Sequence, residues 1–312
     1  MRILILTRNP RRGLATWTDE VAKGLEHLGH SVVVRECSDW MPQPTGKPVD
    51  KEVSKHLKKF VIGYDLVIAS GYRTAWACGE SLKSKVPWVG LVYRELPTTH
   101  RDLIERLSRA KRLWASSRTL TGDLDGCGLT NAATLLPFRS PLHGPTPTAA
   151  REALGWPQDA TIVLTAPSSQ PGPGYQELVD SIPTAEARIG PISLKKYDPH
   201  FVNLETQIRA ANLVAVTTYS SSFSMFALEA MSLGTPVLIS QGSNPDSALI
   251  DPFISGATFE SHGRLGDELA SCLQMPITLE SFGLAGKTRY ETKFSLEPGY
   301  ERLKEAVANL RL

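Results

Sequence analysis

Apolar runs of strand length alternate with segments of helical periodicity along the first half of the chain. The runs that predict β-strands lie at 2–7, 31–37, 65–70, 88–93 and 113–116. The helical spacing of apolar residues predicts helices near 17–28, 51–60, 74–83 and 101–110. Strands that alternate with helices in this way predict a parallel sheet with right-handed crossovers.

A second alternating series follows a proline-rich segment, 137–150, whose composition is typical of a linker. Beyond it, strands are predicted at 161–166, 213–217 and 237–239, and helices near 175–181, 204–211, 224–233, 265–273 and 298–310. A weak element lies near 192–196. The sequence therefore predicts an α/β protein of two doubly wound, Rossmann-like domains, at 1–143 and 144–296. The last segment, 297–312, is expected to form a helix that returns to the N-terminal domain.

The stretch 219–239 carries the clearest local signals: a polar loop, a short helix, a glycine stop and a buried strand. Gly234 occupies the position of a left-handed C-cap, and Pro236 prevents the helix from continuing. Glu229 lies inside this otherwise apolar helix. Because burial of a lone carboxylate is costly, Glu229 is predicted to face a cleft and to bind a ligand.

This stretch resembles the signature of retaining glycosyltransferases of the GT-B architecture, in glycosyltransferase family 4. The family pattern is Glu-x-Phe-Gly, a few apolar residues, and then Glu-Ala-Met-x-x-Gly-x-Pro-Val. The residues that fall on it at the right spacing are Phe223, Glu229, Ala230, Met231, Gly234, Pro236 and Val237. The resemblance implies two Rossmann-like domains that face a central cleft, and transfer of a hexose or pentose from a nucleotide sugar.

Several departures from the family pattern bear on the donor site. The family's first glutamate falls at Ser221, and the glycine after its phenylalanine falls at Ser224. The loop at 164–174 lacks the Arg and Lys that grip the donor diphosphate in the family. Where a His often follows a strand of the first domain, this chain has Arg94 and Glu95. Fold and function are separable, so the fold assignment survives these changes but unmodified family chemistry does not.

The resemblance implies that Glu229 accepts hydrogen bonds from the ribose hydroxyls of a nucleotide sugar, with UDP as the preferred nucleotide. A helix N-terminus favours anions, so the backbone N–H groups that open this helix are expected to bind phosphate. They belong to Ser222, Phe223, Ser224 and Met225. Gly13 matches the family glycine where the backbone approaches the donor phosphates and sugar. No metal ion is expected.

Five further residues are candidates for the diphosphate. Arg12 could replace the missing cations, contact the acceptor or simply be solvated. Ser168 and Ser169 lie in the loop that should face the diphosphate, where small residues permit close approach but neighbouring prolines remove N–H donors. Lys195, like its neighbour Lys196, is a nearby cation.

Asp19, Glu95 and His100 are candidates for the base that accepts a proton from the acceptor hydroxyl. Geometry decides among them, and sequence cannot. No covalent nucleophile is named, since the resemblance implies a retaining reaction in which the donor phosphate assists the attack. Asp123 and Asp125 resemble a metal-binding Asp-x-Asp pair, but they sit between glycines in a predicted loop, on a fold that does not use this motif.

Charge is divided unevenly between the two predicted domains. Residues 1–143 carry 22 Lys and Arg against 14 Asp and Glu, a net charge of +8, whereas 144–312 carry 12 against 18, a net charge of −6. A basic half favours an anionic partner. By the resemblance, this half serves the acceptor. The preferred prediction is therefore transfer to a hydroxymethylated base in DNA, with DNA bound by the basic domain.

Two other functions remain alternatives: transfer to a membrane lipid or surface glycan, and a non-catalytic GT-B binding subunit. The helix predicted over 51–60 sets Val53, Leu57 and Phe60 against several lysines. Such a helix could lie on an anionic membrane surface. Ordinary packing explains its apolar stripe equally well.

Bulk composition is ordinary for a soluble globular protein, with 41% hydrophobic and 21% charged residues in a chain of 312. No run approaches the roughly 20 apolar residues that span a bilayer. The 4 cysteines are far apart and lack metal-ligand spacing. They indicate reduced thiols, so the protein is expected to be cytoplasmic.

Overall fold

The computed structural model describes residues 1–7, 12–37, 51–82, 86–96, 101–165, 173–198, 203–218, 223–244, 248–260 and 263–311. The chain forms two compact units. Unit 1 comprises Met1–Arg139 and Leu296–Leu312, and unit 2 comprises Ser140–Ser295. Each unit is built around its own parallel sheet.

Within the described residues, unit 1 contains six parallel strands covered by helices. The strands are β1 (Arg2–Thr7), β2 (Ser31–Glu36), β3 (Leu66–Ser70), β4 (Trp88–Val92), β5 (Arg112–Ala115) and β6 (Ala132–Thr134), in the order β2-β1-β3-β4-β5-β6. The helices between them are α1 (Arg12–His27), α2 (Lys51–Phe60), α3 (Tyr72–Ser81), α4 (Arg101–Leu107) and α5 (Arg118–Gly126). In β1, Leu4 and Leu6 join one core and Ile3 and Ile5 join another, which is why the strand is apolar throughout.

The described part of unit 2 contains five parallel strands, and the last helix of the chain returns to unit 1. The strands are β7 (Thr161–Thr165), β8 (Ile192–Lys196), β9 (Leu213–Val216), β10 (Val237–Ser240) and β11 (Ala257–Phe259), in the order β11-β10-β9-β7-β8. The helices are α6 (Pro147–Leu154), α7 (Pro173–Ile189), α8 (Leu204–Ala210), α9 (Met225–Ser232), α10 (Leu265–Gln274), α11 (Pro276–Arg289) and, in unit 1, α12 (Leu296–Ala308). The predicted fold class, two Rossmann-like α/β domains, is confirmed.

The helix α12 is part of the unit 1 core, although the chain reaches it only after completing unit 2. Gly299 allows close approach to the buried Phe138, because a Cβ at this position would collide with the Phe138 ring. Tyr300 meets the same ring edge-on, with the ring centroids 5.7 Å apart. Leu303 is fully buried and lies against Gly24 of α1.

The structure corrects the prediction that Asp123 and Asp125 lie in a loop, since both belong to α5. Ser117 caps this helix, because its Oγ accepts a hydrogen bond from the backbone N–H of Leu120 at 3.0 Å. Residues two apart on a helix do not face each other, so the two carboxylates are not arranged as a pair.

The predicted linker at 137–150 is also partly wrong, because α6 begins inside it at Pro147. Proline suits the first position of a helix, where its missing N–H would have no intrahelical partner. Thr146 caps the helix by accepting a hydrogen bond from the backbone N–H of Ala149 at 3.3 Å. Gly155 ends it in the left-handed conformation.

Phe253 holds a strained backbone in unit 2, with φ at 62°, a region that bulky residues rarely adopt. Its side chain is 70% exposed, so ring packing does little to offset the strain. Backbone hydrogen bonds fix the loop: Phe253 N–H donates to the Gly256 carbonyl at 2.8 Å, and Ile254 N–H donates to the Asp251 carbonyl at 3.1 Å. The strain amounts to about 1–2 kcal/mol.

Phe253→Asn is therefore expected to raise the free energy of unfolding by about 0.5–1 kcal/mol, because Asn adopts this backbone at lower cost. Urea denaturation of the two proteins measures the difference. Ile254→Asn is the matched control, since Ile254 is 61% exposed on the same loop without a positive φ. If both variants raised the free energy of unfolding equally, the cause would be the loss of exposed apolar surface and not the relief of backbone strain.

Candidate functional site

The strand order of unit 2 defines where this unit can bind a ligand. The strand β7 lies between β8 and β9 in the sheet. After β7, the chain first forms β8 on one side of it and later forms β9 on the other side. At such a switch point the loops that follow the two inner strands diverge and leave a crevice at their carboxyl ends. Here the crevice lies at the ends of β7 and β9, and α9 follows β9 along the chain.

Helix α9 runs back from this edge of the sheet through the interior of unit 2. Ser224 is its N-cap, and the Ser224 Oγ accepts a hydrogen bond from the backbone N–H of Ala227 at 3.2 Å. All eight residues of α9 are buried. Gly234 follows with φ at 71°, which confirms the predicted left-handed position after the helix.

Glu229 is 2% exposed in the middle of α9. The Ser232 Oγ donates to the backbone carbonyl of Glu229 at 2.8 Å, so this hydroxyl serves the helix backbone. The low dielectric of the interior strengthens every hydrogen bond that a buried carboxylate accepts. Any hydrogen bond to the Glu229 carboxylate is therefore stronger than one to a surface carboxylate.

Phe223 and Met225 fix the N-terminus of α9 through their side chains. Phe223 is 1% exposed and packs against Phe294 with ring centroids 5.5 Å apart, and Met225 is 3% exposed. Because both side chains are buried in the core, a ligand at this end of the helix would contact the backbone.

The structure describes only some of the other candidate residues. Arg12 and Gly13 lie in the first turn of α1, which follows β1 at the carboxyl edge of the unit 1 sheet. Four candidates lie outside the described residues, namely Ser222, Ser168, Ser169 and His100.

Lys195 and Lys196 end β8, beside the end of β7. The Lys195 Nζ lies 5.4 Å from the ring centroid of Trp156. The Lys196 Nζ lies 5.3 Å from the ring centroid of Tyr175, in the first turn of α7. The two side chains are thus held over different aromatic rings.

Arg94 is a positioned cation at the carboxyl edge of the unit 1 sheet, just beyond β4. Its guanidinium carbon lies 5.6 Å from the ring centroid of Tyr72, and its Nε donates to the Tyr72 Oη at 3.1 Å. The Tyr72 hydroxyl in turn donates to the backbone carbonyl of Glu95. Burial raises the pKa of Tyr72, and Arg94 acts in the opposite direction, so the hydroxyl keeps its proton at neutral pH.

Sequence reasoning noticed Arg94 but missed Tyr72. The signal available was an aromatic residue two positions after β3, which neighbours β4 in a parallel sheet. Because the carboxyl ends of neighbouring parallel strands share one edge, Tyr72 and Arg94 could have been paired in advance.

The two described candidates for a catalytic base are both exposed. Asp19 lies on α1, and partial burial raises the pKa of its carboxyl while Lys23 lowers it. Glu95 lies beside Arg94 beyond β4. Both carboxylates are accessible to solvent.

The apolar stripe that suggested a membrane surface is used largely in packing, since Leu57 of α2 is fully buried and Val53 joins the same core. Among the described residues, no helix combines the length and apolar character needed to cross a membrane. No cluster of three or more His, Cys, Asp or Glu side chains suited to a metal ion occurs in this same part of the chain.

Comparison with known sequences finds partial matches to D-inositol 3-phosphate glycosyltransferases. The chain is 31% identical over 157 residues to the protein of Mycolicibacterium paratuberculosis, a match that covers 41% of this chain and 35% of that relative. It is 38% identical over 91 residues to the protein of Segniliparus rotundus, covering 28% of this chain and 20% of that relative. The matched segments thus span about a third of these relatives or less. No protein-family model matches the chain.

Solved structures match the chain over nearly its whole length. Anabaena HepE in complex with UDP superposes with a TM-score of 0.73 at 15% identity, covering 99% of this chain and 100% of that one. Sucrose-phosphate synthase of Thermosynechococcus elongatus gives a TM-score of 0.72 at 16% identity, covering 99% of each chain. The fold is therefore that of the GT-B glycosyltransferases. The predicted resemblance to GT-B glycosyltransferases is confirmed by these structures and by the partial sequence matches.

Proposed function

We propose that this protein transfers a sugar from a UDP-sugar to a hydroxyl group of an anionic acceptor. The observation that carries the proposal is a glutamate only 2% exposed, Glu229, on a helix that starts at the switch-point edge of the unit 2 sheet. Structures of HepE with UDP and with UDP-glucose, together with relatives named as glycosyltransferases, support a nucleotide-sugar donor.

On the donor side, the carboxylate of Glu229 accepts hydrogen bonds from the two vicinal ribose hydroxyls. The backbone N–H groups at 222–225 bind the diphosphate at the start of α9. The serines at 168 and 169 contribute further donor contacts. The transfer retains the anomeric configuration and uses no metal ion.

On the acceptor side, Arg94 binds an oxyanion of the acceptor. The contact with the Tyr72 ring and the hydrogen bond from Nε restrain the Arg94 side chain and leave its terminal nitrogens to form a two-pronged contact. Such a contact suits phosphate or carboxylate. Glu95, Asp19 or His100 accepts the proton of the attacking hydroxyl.

Two anionic acceptors fit this arrangement. A hydroxymethylated base in DNA is the acceptor favoured by the charge of +8 on residues 1–143. A phosphorylated polyol is favoured by the relatives named D-inositol 3-phosphate glycosyltransferases. Arg94 can serve a phosphate of either acceptor.

The test mixes the protein and a pool of UDP-sugars with hydroxymethylated DNA or with D-inositol 3-phosphate, and analyses both products by mass spectrometry. A sugar-sized mass gain on either acceptor supports the proposal and selects the acceptor. Release of UDP without gain on either one overturns both acceptors. Absence of UDP-sugar binding in calorimetry overturns the donor as well and favours a non-catalytic subunit.

Arg94→Ala is expected to raise the KM for the anionic acceptor about 10-fold or more, because a charge-assisted contact is lost. The affinity for UDP, measured by calorimetry, should not change. Tyr72→Phe keeps the ring but removes the hydroxyl that holds the Arg94 Nε, and it should give an intermediate KM. Arg118→Ala, which removes an exposed arginine of α5, is the charge-matched control. An equal rise in KM for Arg118→Ala would indicate diffuse attraction rather than a positioned contact.

A further inference from the structure

A diphosphate needs a cation, and the described residues at the carboxyl edge of the unit 2 sheet offer few. At the carboxyl ends of β7, β8 and β9, the cations among the described residues are Lys195 and Lys196. Residues 144–312 carry a net charge of −6, from 12 Lys and Arg against 18 Asp and Glu, so diffuse attraction does not replace a local cation.

The side chains of the two lysines lie on opposite faces of the sheet, because successive side chains of a strand alternate between its two faces. Lys195 lies over Trp156, which packs with Ala150 of α6 and Ala210 of α8. Lys196 lies over Tyr175, in the first turn of α7. The Lys195 side chain is half-buried, whereas that of Lys196 is exposed.

Lys196 borders both the place where the chain leaves β7 and the place where it enters α7. Its Cα is in register with Thr165, the last residue of β7. The backbone N–H of Tyr197 donates to the Thr165 carbonyl at 3.1 Å, which fixes the end of β8 beside the end of β7. The ring of Tyr175 restrains the Lys196 side chain, which lowers the entropy lost on binding an anion.

We propose that Lys196 binds the diphosphate of the donor and supplies positive charge at this edge of unit 2. The inference rests on the proposed function, since it assumes a UDP-sugar donor. It makes a specific distinction between two adjacent lysines: Lys196 contacts the diphosphate, and Lys195 packs on Trp156.

Calorimetric titration with UDP and with uridine tests the assignment, because the two ligands differ only in the diphosphate. The wild-type protein should bind UDP more tightly than uridine. Lys196→Ala should weaken UDP binding about 10-fold and leave uridine binding within about twofold. Lys196→Arg should retain most of the UDP affinity. Lys293→Ala, which removes an exposed lysine elsewhere in unit 2, is the control.

The outcomes separate this inference from the proposed function. UDP binding that survives Lys196→Ala, or that falls with Lys195→Ala instead, overturns the assignment of Lys196 while the donor stands. An equal loss of UDP and uridine binding also overturns it, because the lysine would then act on the nucleoside or on folding. Circular dichroism of Lys196→Ala identifies the folding case. A wild-type protein that binds no UDP overturns both ideas together.

Discussion

Glu229→Ala is expected to lower kcat/KM for the UDP-sugar by about 100-fold or more. The proposed function gives the Glu229 carboxylate two hydrogen bonds from the ribose hydroxyls, and each would contribute about 1.5 kcal/mol or more. Burial to 2% exposure strengthens these bonds relative to a surface carboxylate. Steady-state kinetics with varied UDP-sugar and calorimetry with UDP measure the loss.

Two variants on the same helix serve as controls for Glu229→Ala. Glu229→Gln keeps the size of the side chain and one oxygen acceptor but removes the charge, so an intermediate loss is expected. Ser232→Ala removes a hydroxyl that bonds to the Glu229 backbone carbonyl at 2.8 Å, and it tests whether disturbing α9 is itself enough to lower activity. Unchanged activity in a folded Glu229→Ala protein would exclude Glu229 from the mechanism.

The sequence predicts most of the fold because parallel strands covered on both faces are continuous apolar runs. The bounds predicted for β1 agree with the structure, and those of β3 differ by one residue. The strands β6 and β11 were missed because three residues are too few to show a period. The helix α11 was missed because Ile277 and Leu284 place apolar side chains in solvent, 84% and 69% exposed. These side chains blur the division into an apolar and a polar face.

The candidate site was predictable only where a local signal existed. Glu229 was detected because a charged residue interrupts an apolar helix before a glycine stop. The contact between Arg94 and Tyr72 joins residues 22 positions apart, so it depends on the strand order of the sheet. The same holds for Lys196, whose proximity to Thr165 and Tyr175 follows from the register of β7 with β8.

Phe138→Ala is expected to lower the free energy of unfolding of unit 1 by about 3–5 kcal/mol. The Phe138 ring is fully buried and lies where α12 crosses the core, against Gly299 and edge-on to Tyr300. Removal of the ring leaves a cavity beside Gly299. The backbone of α12 already lies against this site, so the helix has little room to move and fill the cavity. Loss of this ring therefore weakens the docking of a segment that arrives from the far end of the chain.

Urea denaturation followed by hydrogen exchange distinguishes this effect from a general loss of stability. Exchange should accelerate in α12 and in the sheet of unit 1, while the strands of unit 2 should keep their protection. Leu284→Ala is the control for loss of apolar surface, since Leu284 is 69% exposed and its removal should change stability by no more than about 0.5 kcal/mol. If Phe138→Ala instead accelerated exchange in β7 and β9 as much as in β1, the two units would unfold as one. Unit 1 could then not be treated as a separate cooperative unit that α12 completes.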